Sequence, residues 1–172
     1  QETWASVSHS DDAVAIAVST AGPIGVDVES MRRTTNLAPA VQEAVFTKDE
    51  RAELSAIAVP ERRAAALRLW TLKEAVLKST GDGLVRAPST LSVADVAGLP
   101  WLSRFDDRVD LVGGTQLFAL EPAVEPYVID DPDDTGVPSA IDTPGEYVAS
   151  LALLTAEAVR IEQRDAAELL IG

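Results

Sequence analysis

Asp27 and Glu29 stand two residues apart in Ile24-Gly25-Val26-Asp27-Val28-Glu29, where apolar and acidic residues alternate with the period of a β-strand. Strand side chains two apart point the same way, with Cα atoms about 6.5–7 Å apart. Two carboxylates so placed repel each other unless a proton, a base or a cation intervenes, and hard Mg²⁺ is the cation such oxygens hold together with a phosphate. A strand with its polar face in water satisfies the same pattern. A second cluster lies in Trp70-Thr71-Leu72-Lys73-Glu74-Ala75-Val76-Leu77-Lys78, which holds two of the chain's three lysines. At helical spacing Glu74 and Lys78 share a face, with Trp70, Lys73 and Leu77 on an adjacent stripe. A Glu–Lys pair four apart is also an ordinary surface device worth about 0.2–0.5 kcal/mol. Lysines beside phosphate and a glutamate beside a metal is the chemical alternative. The only histidine, His9, lies in Ser8-His9-Ser10. An imidazole and two hydroxyls can donate several hydrogen bonds to a phosphate, although a lone loop histidine is equally at home on a plain surface.

These residues need elements to hold them. Ala13 to Val18 is an apolar run that predicts a buried strand, and the Gly22-Pro23 turn predicts that it forms a hairpin with Ile24 to Glu29. Ser8-His9-Ser10 then falls in a turn before the first strand. Leu37 to Val45 and Lys48 to Ile57 have helical spacing, the second with Thr47 as N-cap. Pro60 suits the first turn of a long helix running toward Ser79, stopped by Gly81 and Gly83. Further strands are expected at 89–93, 116–120, 147–154 and 159–161, a loop over 130–145 and a last short helix over 165–170. The fold class is α+β, a mostly antiparallel sheet packed against helices.

Composition narrows the function classes. The chain has 172 residues, 47% of them hydrophobic, and no cysteine, which excludes disulfides and thiolate chemistry. No apolar run is long enough for a membrane helix, so the expectation is a cytoplasmic protein with no membrane partner. A net charge of −14 argues against nucleic acid as a partner. Residues 1–94 carry 12 acids and 10 bases while residues 95–172 carry 16 acids and 4 bases. The front of the chain is therefore able to receive an anion.

With Val7-Ser8-His9-Ser10, Ile24 to Glu29, Phe46-Thr47-Lys48-Asp49-Glu50, Trp70 to Lys78 and Gly81-Asp82-Gly83-Leu84 in this order, the sequence resembles the 4′-phosphopantetheinyl transferases. The likeness is to the larger two-half type; it is clear over 7–84 and looser beyond, where the acidic loop-rich region of about 95–145 precedes the late core strand. The resemblance implies Mg²⁺-dependent (or Mn²⁺-dependent) transfer of the phosphopantetheine arm of coenzyme A to a serine of an acyl or peptidyl carrier protein. It implies Asp27, Glu29 and Glu74 as metal ligands and Glu74 with Lys78 as catalytic residues. Ser8, His9, Lys73 and Lys78 would contact the coenzyme A phosphates. Glu50 has a lesser claim, because Phe-Thr-Lys-Asp-Glu also reads as a capped helix start.

The resemblance also implies one half of a pseudo-twofold fold spanning 1–172, with an N-terminal half expected to be missing before Gln1. Arg32, Arg33, Lys48, Arg51, Arg62, Arg63 and Arg68 are the bases expected to meet an acidic carrier. A non-enzymatic interaction domain descended from such a transferase is the alternative, with its acids and lysines serving local structure.

Overall fold

The computed structural model describes residues 2–32, 39–96, 99–120 and 147–164, without the side chains of Leu84 and Val96. It is α+β, with three small antiparallel sheets around one long helix. Strands β1 (Trp4–Ser10) and β2 (Ala13–Ser19) form a hairpin. Strand β3 (Ile24–Ser30) pairs with β7 (Tyr147–Leu154), which pairs on its other edge with β6 (Thr115–Leu120). Strands β4 (Leu91–Val96) and β5 (Leu99–Phe105) form the third pair. Helices α1 (Pro39–Val45), α2 (Lys48–Ala56) and α3 (Val59–Thr80) fill the span between β3 and β4, and a single turn, α4 (Val109–Val112), precedes β6.

The expected hairpin of residues 13–18 with 24–29 does not form. β2 turns back on β1, so Ser8-His9-Ser10 is strand rather than turn. Nor is β2 buried throughout: Ala13, Ala15, Ala17 and Ser19 face inward, while Val14, Ile16 and Val18 are 63–67% exposed. Strand β3 also departs from an amphipathic reading, being buried on both faces except at Glu29. Its second neighbour is the serine face of β1. The N–H groups of Val26, Val28 and Ser30 donate to the hydroxyls of Ser6, Ser8 and Ser10 at 3.1, 3.4 and 3.0 Å. Side-chain oxygens thus stand where a ladder partner's carbonyls would, and the N–H groups of β3 are satisfied without one.

Local signals account for the helices. Thr47 accepts from the Glu50 N–H while Glu50 accepts from the Thr47 N–H, a closed capping box at the start of α2. Helix α3 has Pro60 in its first turn and ends at Gly81, whose φ of 77° is a left-handed cap that glycine adopts without strain. Its segment from Thr71 to Leu77 is buried all round, because the β3–β7 sheet covers one side and β4 the other. The principal core joins Leu72, Ala75, Val76 and Leu77 of α3 to Leu91, Val93, Leu102, Phe105, Leu117 and Ala152.

At Gly25 the helix and the strand come closer than side chains permit. A Cβ there would overlap the carbonyl oxygen of Ala75 and lie 2.6 Å from the Ser79 nitrogen. Contact of this kind brings the residues after Gly25 under the last turns of α3. Strand β5 was not expected from the sequence. The expected strand at 159–161 is absent, Val159 and Ile161 instead packing as irregular chain against the cluster of Ala17, Ile24, Val26, Leu151 and Leu153. The expected loop over 130–145 and helix over 165–170 lie outside the described residues.

Candidate active site

Trp70, Glu74 and Lys78 recur every four residues, about 40° apart around a helix of 3.6 residues per turn, and form the stripe of α3 that faces β3. The Trp70 indole donates to Glu29 Oε1 at 3.3 Å. The Lys78 ammonium donates to Asp27 Oδ1 at 2.7 Å and to the Val26 carbonyl at 3.1 Å. From the other side Ser8 donates to Asp27 Oδ1 at 2.8 Å and Ser10 to Glu29 Oε2 at 2.9 Å. Asp27, Glu29, Glu74 and Lys78 are therefore one electrostatic cluster, built by β1, β3 and α3.

Within it, Asp27 and Glu74 are buried, at 5% and 6% exposure. Asp27 Oδ2 and Glu74 Oε1 have no hydrogen-bond partner. Burial pushes the Glu74 carboxyl up to about 7, and the charge of Asp27 pushes the same way, against the pull of Lys78. Burial likewise raises Asp27, although its bonds from Lys78 and Ser8 oppose the rise. Two orphaned carboxylate oxygens beside one ammonium are an unstable arrangement unless something shares them, since an unmet buried acceptor costs about 1–3 kcal/mol. Hard oxygen donors of this kind suit Mg²⁺ or Mn²⁺. The cage is not preassembled: among the described residues no three His, Cys, Asp or Glu side chains close into a metal-holding group.

Of the residues assigned to phosphate by the resemblance, Lys73 and His9 sit elsewhere and Ser8 is committed to the acid cluster itself. Lys73 lies five residues from Lys78, about 140° around the helix, and its side chain enters the opposite interior. It is fully buried, with its ammonium against Glu50 Oε2 at 2.5 Å and the carbonyls of Val45, Pro88 and Leu91 at 3.0–3.1 Å. A cation so enclosed has no proton left for a phosphate. Ser8 is likewise buried, and its hydroxyl is spent on Asp27 and the Val28 N–H. His9 is exposed on the opposite face of β1 from Ser8 and Ser10, across from Val14 in the hairpin register.

Glu50, given a lesser claim on the site than the other three acids, proves to be a hub. It closes the α2 capping box, pairs with Lys73 and accepts from the Val93 N–H at 3.2 Å. The Thr47–Glu50 spacing gave the cap, but nothing in the sequence gives the partner on α3. The bases expected to meet a carrier are largely engaged with their own chain. Arg51 donates to the Phe46 carbonyl, Arg62 to those of Ser55 and Ile57 and Arg63 to that of Met31, and Arg68 pairs with Asp95 at 2.6 Å. Arg33 lies outside the described residues.

Residues 23–116 match the 4′-phosphopantetheinyl transferase superfamily. The chain belongs to that superfamily. Over 94 residues it is 37% identical to the 4′-phosphopantetheinyl transferase AcpT of Salmonella typhimurium, a stretch covering 53% of this chain and 48% of that protein. Over 120 residues it is 35% identical to the 4′-phosphopantetheinyl transferase psf-1 of Bacillus pumilus, covering 69% and 49% respectively. The chain thus spans about half the length of the curated relatives it matches.

Among solved structures it shares its fold with the holo-(acyl-carrier-protein) synthase of Bacillus anthracis, determined in complex with CoA (3′,5′-ADP). The TM-score is 0.52 at 14% identity, covering 78% of this chain and 96% of that one. The corresponding synthase of Thermotoga maritima gives a TM-score of 0.51 at 17% identity, covering 78% and 64%. Among the described residues no helix is long and apolar enough to cross a membrane.

Proposed function

We propose that this chain carries the acidic site of a transferase that moves the 4′-phosphopantetheine arm of coenzyme A onto a serine of an acyl or peptidyl carrier protein, releasing adenosine 3′,5′-bisphosphate. The observation that carries the reading is the pair of unpartnered buried oxygens, Asp27 Oδ2 and Glu74 Oε1, beside the Lys78 ammonium. Asp27 and Glu74 would hold Mg²⁺ or Mn²⁺, with Glu29 as third ligand once its Oε1 exchanges the bond from Trp70. The ion would supply positive charge to the pyrophosphate.

The chain's own groups do the rest. The serine oxygen attacks the β-phosphorus, the bond from that phosphorus to the bridging oxygen breaks, and the nucleotide bisphosphate leaves with the electron pair. Glu74, directly or through bound water, accepts the serine proton. Lys78, 27% exposed and already at the acid pair, lies where a cation can meet charge building on the leaving oxygen. Lys73 stays outside this chemistry and fixes α3 against α2 and β4. Incubation with coenzyme A, Mg²⁺ and an apo carrier protein, followed by the carrier's mass, tests the proposal. Gain of one phosphopantetheine arm supports it. An unmodified carrier, given folded protein, rejects it in favour of the interaction-domain reading, which the Lys78–Asp27 ion pair and the unclosed cage would then serve as local structure.

The outer face of the β1–β2 hairpin carries a related proposal. Val7, Val14, Ile16 and Val18 are 59–67% exposed there, with His9 among them. We infer that this is the face a second half covers in a two-half enzyme, consistent with matches that cover only about half of each relative. His9 then reaches a phosphate of coenzyme A from that junction, not from the acid cluster. In the two-half protein Ile16→Lys should weaken coenzyme A binding while leaving this half folded; unaltered binding excludes the junction.

A further inference from the structure

The serines of β1 alternate with the acids of β3 in a way the transfer reaction does not by itself require. Ser6, Ser8 and Ser10 lie on one face, and each hydroxyl oxygen accepts a backbone N–H from β3. A hydroxyl has one proton to give. With a lone pair committed to the backbone donor, the Ser8 proton is directed onto Asp27 Oδ1 and the Ser10 proton onto Glu29 Oε2. Ser6 makes the same backbone bond, to Val26, one step earlier, where the preceding β3 residue is Gly25 and offers no carboxylate.

The geometry points to Ser8 and Ser10 as positioning residues for the acid pair, with Ser6 serving the fold alone. The inference rests on the metal reading above and adds the device that orients its ligands. Ser8 and Lys78 both occupy Oδ1 of Asp27, which fixes the rotation of the carboxyl group and leaves Oδ2 as the oxygen without a partner. Partners of a metal-binding carboxylate typically change metal affinity by 10–100-fold when removed. This assignment replaces a phosphate contact for Ser8 with a bond to the acid that binds the ion.

The test is Mg²⁺ calorimetry on the whole chain, with Mn²⁺ electron paramagnetic resonance as a spectroscopic readout and near-ultraviolet circular dichroism as the check on folding. Ser8→Ala and Ser10→Ala should each weaken Mg²⁺ binding about tenfold or more and alter the Mn²⁺ spectrum. Ser8→Thr and Ser10→Thr, which restore the hydroxyl, should recover most of the affinity. Ser6→Ala should lower the melting temperature while leaving Mg²⁺ affinity as in the wild type. If Ser8→Ala does not fold, Ser10→Ala and its threonine partner carry the same comparison at Glu29. Equal weakening by Ser6→Ala, or wild-type affinity in both Ser8→Ala and Ser10→Ala, overturns the positioning role and leaves the metal site standing. A wild-type chain that binds neither ion overturns the metal reading, and the positioning role falls with it.

Discussion

Asp27 on β3 and Glu74 on α3 each turn a buried carboxylate oxygen toward no hydrogen-bond donor, and the charge of one raises the proton affinity of the other. The two residues lie 47 apart in the chain, and the contact that brings them together is the seating of Gly25 against the α3 backbone.

The proton affinity of Glu74 makes stability depend on pH with a definite sign. Below the ordinary value of 4.5 the carboxyl is protonated in folded and unfolded chain alike, and no penalty arises; above about 7 it is ionised in both, and the folded state bears the full shift. That shift corresponds to roughly 3 kcal/mol. The metal-free protein therefore loses stability as pH rises between these two values. Glu74→Gln removes the penalty, so its melting temperature should exceed that of the wild type at about pH 8 and match it near pH 4. Thermal melts across this range check the sign; a difference independent of pH contradicts it. In the same variant carrier modification should fall by about 10²–10⁴-fold, read as turnover at saturating coenzyme A.

Gly25→Ala tests the close approach. The added methyl would meet backbone, not a movable side chain, so β3 or α3 must shift. We expect a loss of about 3 kcal/mol by urea denaturation. A loss below about 1 kcal/mol would mean that the two elements separate easily and that Gly25 does not set their distance.

Lys73→Met leaves Glu50 as a buried anion without its cation. Breaking such a pair destabilises by about 3–5 kcal/mol. Adding Glu50→Gln to Lys73→Met should restore part of this stability, because it removes the unpaired charge. Denaturation of the two single variants and the double variant measures the coupling. If Lys73→Met instead left stability unchanged and raised the KM for coenzyme A, Lys73 would be a phosphate contact after all.

Elements marked by local chemistry were legible in the sequence. The capping box at Thr47 and Glu50, Pro60 and Gly81 at the two ends of α3, and the apolar run of β7 place themselves through interactions within a few residues. Pairing was less legible. The Gly22-Pro23 turn suggested a β2–β3 hairpin, yet β3 takes β7 from the far end of the chain on one edge and three serine hydroxyls on the other. Pro100 hid β5, since proline removes a ladder donor and signals a strand edge at best.

The site divided along the same line. Glu74 and Lys78 share a face by helical periodicity alone, and Asp27 with Glu29 by strand alternation. Lys73 could not be placed that way. The carbonyls of Val45, Pro88 and Leu91 that surround it come from two other segments of the chain, and no pattern within α3 announces them. Ser8 was singled out for its hydroxyl, but the acceptor of its proton became visible only when β1 was set against β3.

On the reading proposed above, Asp27 and Glu74 together hold the ion at which coenzyme A is cleaved. Mg²⁺ titration calorimetry on the wild type, Asp27→Asn, Glu74→Gln and the double variant tests it most directly. Saturable binding is expected of the wild type, with loss of at least tenfold in affinity in either single variant and no further loss in the double variant once binding has gone. Wild-type affinity in Asp27→Asn and Glu74→Gln alike would contradict it.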